Sequence, residues 1–204
     1  MQIHKVLVHL HIYYKKQLEE ILSYLKKLNG YDYDLYITAV DPDEVMINKI
    51  KAFRPETQIV KVENYGYDIA PFLQIIRMAD LNKYDYILKL HTKRNTKEKC
   101  RVCGNIVSRK LWRRGLLHSL LGSRRIVDNN FAQLQKDPRL GMIGCRHLIS
   151  DERDCSVSLL PKLQKTMQQL GYENFSKIRF VAGSMFLVRC RLLKNLLKLN
   201  WSEA

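Results

Sequence analysis

The sequence predicts an α/β fold, a mostly parallel central sheet with helices packed on both of its faces. Three observations carry this expectation. Segments of continuous apolar residues, rich in Val, Ile and Tyr, alternate with segments whose apolar residues recur at helical spacing. The alternation repeats in units of about 30 residues, enough for a strand, a covering helix and the return to a parallel neighbour. With 204 residues, 46% of them hydrophobic, the chain can bury one core, so a single domain over residues 1–204 is expected.

The elements follow in order. Ile3 to Ile12 is dominated by Val, Ile and Leu and reads as the first strand. Lys15 to Leu28 places Leu18, Ile21, Leu22, Leu25 and Leu28 on one helical stripe, and Asn29-Gly30 supplies the stop. Tyr33 to Val40 is a second strand. In Asp41-Pro42-Asp43-Glu44 a capping side chain, a proline at the first helical position and early acids start a helix that runs to about Phe53. Gln58 to Val62 is a third strand, "ENYGYD" a loop, and Ile69 to Ala79 a helix with Pro71 in its first turn. "YDYILKLHTKR", Tyr84 to Arg94, is a fourth strand, largely apolar until it ends in a histidine and two cations. Beyond a polar segment, Ser108 to Leu121 and Arg124 to Lys136 read as helices and Leu140 to Cys145 as a strand. Leu159 to Gly171 follows as a helix, Phe180 to Arg189 as a strand and Leu192 to Leu199 as a closing helix.

Open sheets of this kind bind ligands beyond the carboxyl ends of their strands, which selects a short set of residues. His9 and His11 stand at the end of the first strand, on one face by the period of two, either as site groups or as satisfied strand histidines. Thr38 ends the second strand. After the third, Asn64 and Asp68 flank Gly66, which permits a positive φ or a close backbone approach. Asp68 also precedes an apolar helix, so it is either a ligand-touching acid or an N-cap. His91, Lys93 and Arg94 close the fourth strand, where the alternative is a strand-capping histidine beside solvated cations. Gly183 and Ser184 lie within the last strand, as a place for an acceptor to approach the backbone or as a close-packing glycine.

Lys and Arg number 35 against 20 Asp and Glu, a net charge of +15 that favours anionic partners. Nucleic acid is the less favoured of these, since Tyr65 and Tyr67 are the one tyrosine pair near basic residues that offers stacking. "RKLWRRGLLHSLLGSRR" and "RCRLLKNLLKLNW" interleave leucine with cations and suit either peripheral contact with an anionic membrane or ordinary amphipathic helices. No apolar run reaches the eighteen or more residues of a membrane span, and "MQIHKVLVHLHIYYKK" reads as a strand rather than an export signal, so a cytoplasmic location is expected. Five cysteines without such a signal argue against a disulfide framework. Cys100 and Cys103 form half of a zinc knuckle, with no second CxxC to complete it, and read as a thiol pair in a loop.

"VHLHIYYKKQLEEILSYL", "YDLYITAV", "VENYGYDIAPFL", "YDYILKLHTKR", "RLGMIGC" and "FVAGSMFLVR" together resemble the rhamnan synthesis protein F family, glycosyltransferase-like proteins of bacterial cell-wall and lipopolysaccharide polysaccharide assembly. The resemblance runs over nearly the whole chain. It implies a GT-A-like nucleotide-sugar fold, a nucleoside-diphosphate donor of the dTDP-rhamnose type and a lipid-linked glycan acceptor at the inner face of the plasma membrane. Such folds commonly carry an acidic metal-binding motif where this sequence has His91-Thr92-Lys93. Lys93 and Arg94 are therefore expected to neutralise the diphosphate directly, without a required metal or other cofactor, and Asp68 and His91 are the candidate catalytic residues. Family members continue beyond the equivalent of "GSMFLVR" into a further acidic segment, whereas this sequence ends in "LKLNWSEA". The sequence is thus expected to be a truncated or divergent member, or to keep Glu203 as the remnant of that acid. The alternative is a noncatalytic glycan-, membrane- or nucleic-acid-binding accessory protein.

Overall fold

The structure, a computed structural model, describes residues 4–102, 104–151, 160–172 and 179–198. In order they form β1 (Lys5–Ile12), α1 (Leu18–Leu25), β2 (Asp32–Ala39), α2 (Glu44–Phe53), β3 (Gln58–Lys61), α3 (Ile69–Met78) and β4 (Tyr86–His91). Then come β5 (Lys99–Val102), β6 (Asn105–Ser108), α4 (Arg109–Leu121), α5 (Arg124–Lys136), β7 (Met142–Ile143), β8 (Ile149–Asp151), α6 (Leu160–Gln169), β9 (Arg179–Val181) and β10 (Phe186–Arg189). The central sheet has six strands in the order β3-β2-β1-β4-β10-β7. The first four are mutually parallel, β10 is antiparallel to β4, and β7 is antiparallel to β10. The expected mostly parallel α/β architecture is what forms.

Helix placement follows from the route of the chain. It runs outward from β1 to β2 to β3, so right-handed crossovers put α1 and α2 on the same face; it then returns past β1 to β4, which puts α3 on the other. The first face holds Val6, Val8 and Leu10 of β1 and Leu88 and Leu90 of β4 against Ile21 and Leu25 of α1, Ile50 of α2, Leu116 and Leu120 of α4 and Phe131 of α5. The second packs Leu7 and Ile87 against Phe72, Ile75 and Ile76 of α3. Each fully buried side chain of this kind contributes about 1.5–3 kcal/mol relative to exposure.

The "RKLWRRGLLHSLL" helix is thereby explained as an amphipathic core helix. Leu116, Leu117, Leu120 and Leu121 are buried in the protein, and only Leu111 of the interleaved leucines is exposed. Ser108 caps α4 by accepting from the Leu111 amide; Asp43 caps α2 by accepting from the Met46 amide, so Pro42 precedes the cap and does not occupy the first helical position. Among the described residues no helix is long and apolar enough to cross a membrane.

Several boundaries differ from expectation. The predicted helix from Lys15 to Leu28 is α-helical only at Leu18–Leu25, with 3-10 turns at either end, and stops where Gly30 takes φ +88°. The strand expected from Leu140 to Cys145 shrinks to Met142–Ile143, and the closing helix is a pair of 3-10 turns at Cys190–Leu192 and Lys194–Lys198. The polar segment after β4 forms the β5–β6 hairpin; within it Cys103 lies outside the described residues, as do Cys155 and Glu203, while Cys100 is a free thiol. The strand expected from Phe180 to Arg189 is two strands, because the chain turns sharply at Gly183 and Ser184, both with positive φ.

Gly183 sits at φ +104°, and a Cβ there would approach Leu116 Cδ1 to 2.7 Å and Trp112 Nε1 to 3.0 Å. Gly183→Ala is therefore expected to cost about 1–3 kcal/mol through backbone strain and overpacking together. Gly171, at φ +86° with nothing within 4 Å of its would-be Cβ, isolates the strain. Urea denaturation checks the pair, with the larger loss expected for Gly183→Ala; equal losses would mean that the helix α4 contact has no weight.

Candidate functional site

The order in which strands are added reverses between the parallel neighbours β1 and β4, which creates a switch point, and a cleft of about 440 Å³ opens at the carboxyl ends of those two strands. Of the residues that the sequence singles out, His11, Asn64, Asp68, His91, Lys93 and Arg94 line it. His9 and Thr38 are fully buried beneath it. Gly183 and Ser184 adjoin it through hydrogen bonds to His91 and Asp68, and Gly66, within the Asn64–Asp68 loop, lines a neighbouring groove instead. Tyr67 and Thr92, from the two loops that the sequence singles out, line it too, and Tyr13, Tyr14 and Arg109 join them without a sequence signal.

Alternation along the two central strands assembles the floor. On the face of α3, β1 presents Leu7, then His9 and His11, while β4 presents Ile87, then Lys89 and His91. Apolar packing at the start of each strand thus gives way to polar groups at its end. Lys89 is a site residue that the position of strand ends does not reveal. Its side chain has no solvent exposure, its ammonium forms an ion pair with Asp68, and it donates to the Ser184 carbonyl oxygen at 2.9 Å. Phe72 and Phe186 border the same ammonium.

Asp68 does not cap α3 with its side chain. The loop before it takes positive φ at both Gly66 and Tyr67, and a Cβ on Gly66 would sit 2.5 Å from that of Ala70. This tight turn directs the carboxylate inward. Oδ2 accepts from Lys89 and, at 2.7 Å, from the Ser184 hydroxyl, leaving Oδ1 outside these bonds. Burial opposes ionisation of Asp68, but Lys89, His91 and the Ser184 hydroxyl outweigh it and hold the carboxyl well below the usual range.

Both ring nitrogens of His91 face carbonyl oxygens, Nε2 at 2.8 Å from that of Gly183 and Nδ1 at 3.0 Å from that of Thr92, so its proton is engaged in either tautomer. Burial, then Lys89, push its pKa down and favour the neutral ring. His91 thus lines the cleft while pinning the Gly183-Ser184 turn. His11 is held to about 4 by burial and the neighbouring His91, and His9 lies well below its usual value from burial and Lys89.

The cations arrive from two elements. Thr92 accepts at Oγ1 from the amides of Tyr13 and Tyr14, tying the end of β4 to the end of β1. Gln17 donates to the Lys93 carbonyl oxygen and accepts from its amide, and the buried Arg113, itself paired with Glu20, donates to Gln17. That backbone clamp leaves the Lys93 ammonium over the Trp112 ring at 3.8 Å from its centre. Burial lowers the Lys93 pKa, so a bound anion would relieve its charge. Glu98 pairs with Arg109 at 2.9 Å and reaches Arg94 at 3.9 Å. Among the described residues no group of three or more His, Cys, Asp and Glu side chains is arranged to hold a metal ion.

The neutral histidines predict a pH response. A group whose folded pKa lies below its unfolded one stabilises the fold above the unfolded value and loses that contribution as pH falls. For His11 the window runs from 6.5 down to about 4, with His9 adding to it, whereas the contribution of Asp68 is intact down to about 4 and is lost only below that. The urea midpoint is expected to fall steadily from pH 6.5 to 4.5; a flat profile there would mean that the histidines are not buried in neutral form.

The sequence profile described as "Rhamnan synthesis protein F" matches residues 1–204. An uncharacterized protein, WxcX, of Xanthomonas campestris pv. campestris (strain B100) is 30% identical over 191 residues, 92% of this chain and 26% of that protein. The chain therefore spans about a quarter of the length of this relative. The apo-form glycosyltransferase GlyE of Streptococcus pneumoniae TIGR4 aligns with 71% of this chain and 41% of its own at 10% identity and a TM-score of 0.30, a likeness too slight to bear on the fold or the site.

Proposed function

The chain belongs to the rhamnan synthesis protein F family, and from that premise we propose that it is a glycosyltransferase of polysaccharide synthesis whose cleft binds a nucleoside-diphosphate sugar. The donor is a rhamnose nucleotide of the dTDP type, and the acceptor is a lipid-linked glycan. One observation supports this reading above the rest: a cleft at the switch point of the sheet gathers Lys93, Arg94 and Arg109 together with a half-buried, ionised carboxylate, Asp68.

The chemistry follows from that division. The departing diphosphate gains negative charge in the transition state, which Lys93 meets as a point charge and the two arginines as planar forks. In this proposal the three cations serve without a required metal. Glu98 holds both arginines toward the cleft until a phosphate competes for them. Asp68, ionised and anchored through Oδ2, offers Oδ1 to a hydroxyl of the sugar or the acceptor, and Tyr13 and Tyr67 supply apolar walls. His91 keeps the carboxylate and the Ser184 turn in place.

A second reading, a noncatalytic binding protein, draws on a different observation. Asp68 is firmly ionised and His91 has its proton engaged, so neither is poised near neutral pH as a general base. Isothermal titration with dTDP-rhamnose, dTDP and UDP-sugars, with and without manganese, tests both. The enzyme reading expects micromolar to submillimolar dTDP-rhamnose binding that manganese leaves unchanged, with slow donor hydrolysis; it falls if no nucleotide binds at millimolar concentration. Binding with no turnover of the donor under any condition favours the second reading.

A further inference from the structure

Beneath the cleft, three fully or nearly buried polar side chains form a chain of their own. His9 Nε2 lies 2.9 Å from Thr38 Oγ1, and the same oxygen lies 3.0 Å from His11 Nδ1. His9 is closed on its other side: Nδ1 is buried with no hydrogen-bond partner, and the ring packs against Phe72 at 5.5 Å between centres. His11, by contrast, lines the cleft, and among the described residues no hydrogen bond occupies its Nε2.

A threonine hydroxyl has one proton to give, so the three groups can be arranged in few ways. If His11 Nδ1–H donated to Thr38 and Thr38 to His9 Nε2, the proton of neutral His9 would sit on Nδ1, an N–H orphaned in the core. If both histidines donated to Thr38, its own proton would lack an acceptor among the described residues. If His9 Nε2–H donates to Thr38 and Thr38 donates to His11 Nδ1, every proton has a partner within the chain or faces the cleft. The one unsatisfied atom is then a bare nitrogen lone pair on His9, and buried groups of that kind are tolerated better than orphaned N–H donors.

We propose that His9 and Thr38 are positioning residues that fix His11 in its Nε2–H tautomer, so that the cleft receives a neutral donor directed at an oxygen of its ligand. The ligand identity rests on the nucleoside-diphosphate reading above; the tautomer does not. A donor without charge adds an orientation requirement that the surrounding cations lack. It also leaves the charge balance between Lys89 and Asp68 undisturbed.

Two-bond proton–nitrogen correlation spectra of the ligand-free protein read the tautomers directly. The expected result is protonated Nε2 and bare Nδ1 for both His9 and His11. Thr38→Val should release His11 into a mixture of tautomers and weaken dTDP binding about tenfold, while Thr38→Ser, which keeps the hydroxyl, should preserve both the pattern and the affinity. Nδ1–H on His11 in the wild-type protein would overturn the proposal, as would a Thr38→Val protein with an unchanged His11 spectrum. If Thr38→Val does not fold, the wild-type and Thr38→Ser spectra decide alone. Absence of dTDP binding to the wild-type protein would overturn the donor reading and leave the tautomer assignment to stand or fall by the spectra.

Discussion

Lys89→Met is expected to destabilise the fold by about 3–5 kcal/mol, the cost of leaving one partner of a buried ion pair uncompensated. The variant keeps the apolar stem between Phe72 and Phe186 but strands the Asp68 carboxylate and removes the donor to the Ser184 carbonyl oxygen. Pairing it with Asp68→Asn should recover part of the loss, because a neutral amide needs no counter-charge. Urea denaturation of the wild-type, both single variants and the double variant gives the coupling directly. Additive losses would show that the two side chains do not act as a pair, and the account of Asp68 as an ionised cleft group would go with them.

Lys93→Ala should have the opposite profile, a small effect on the fold and a large one on binding. Its backbone is held by Gln17 whatever the side chain, and its ammonium contributes only a contact with the Trp112 ring, worth about 0.5–1 kcal/mol at such a site. Removing a charge-assisted contact to a diphosphate should weaken dTDP affinity by roughly ten- to a hundredfold, about 1.5–3 kcal/mol. Titration calorimetry beside thermal denaturation separates the two effects. An unaltered affinity would remove Lys93 from the site, and a loss of several kcal/mol in stability would make it a structural residue.

The contrast between these two lysines shows what the amino-acid sequence makes legible. The order of strands and helices, and most of the cleft, follow from periodicity and from the rule that ligands sit beyond strand ends. His11, Asn64, Asp68, His91, Lys93 and Arg94 were placed by that rule, and all six meet in one cleft. Lys89 was passed over because a cation inside an apolar run looks like a solvated position in an alternating strand. A strand covered on both faces has no solvated position, and "YILKLH" therefore demanded a carboxylate partner. Arg109 and Gln17 are invisible for a different reason: one lines the cleft from the start of α4 and the other holds the Lys93 backbone from the turn before α1, and only packing brings them there. In the sequence Gly183 and Ser184 look like part of one strand, since nothing in the neighbouring apolar residues announces two consecutive positive φ angles.

The alternation of β1 and β4 also acts on how the chain finds this structure. A one-residue slip in the pairing of either strand would exchange its faces, sending His9 and His11, or Lys89 and His91, into the leucines of α1 and α4. Misregistered sheets would therefore carry desolvated, partnerless polar groups, each costing on the order of 1–3 kcal/mol or more. The same side chains that furnish the cleft thus discriminate against wrong strand pairings during folding, so that binding groups and register are selected together.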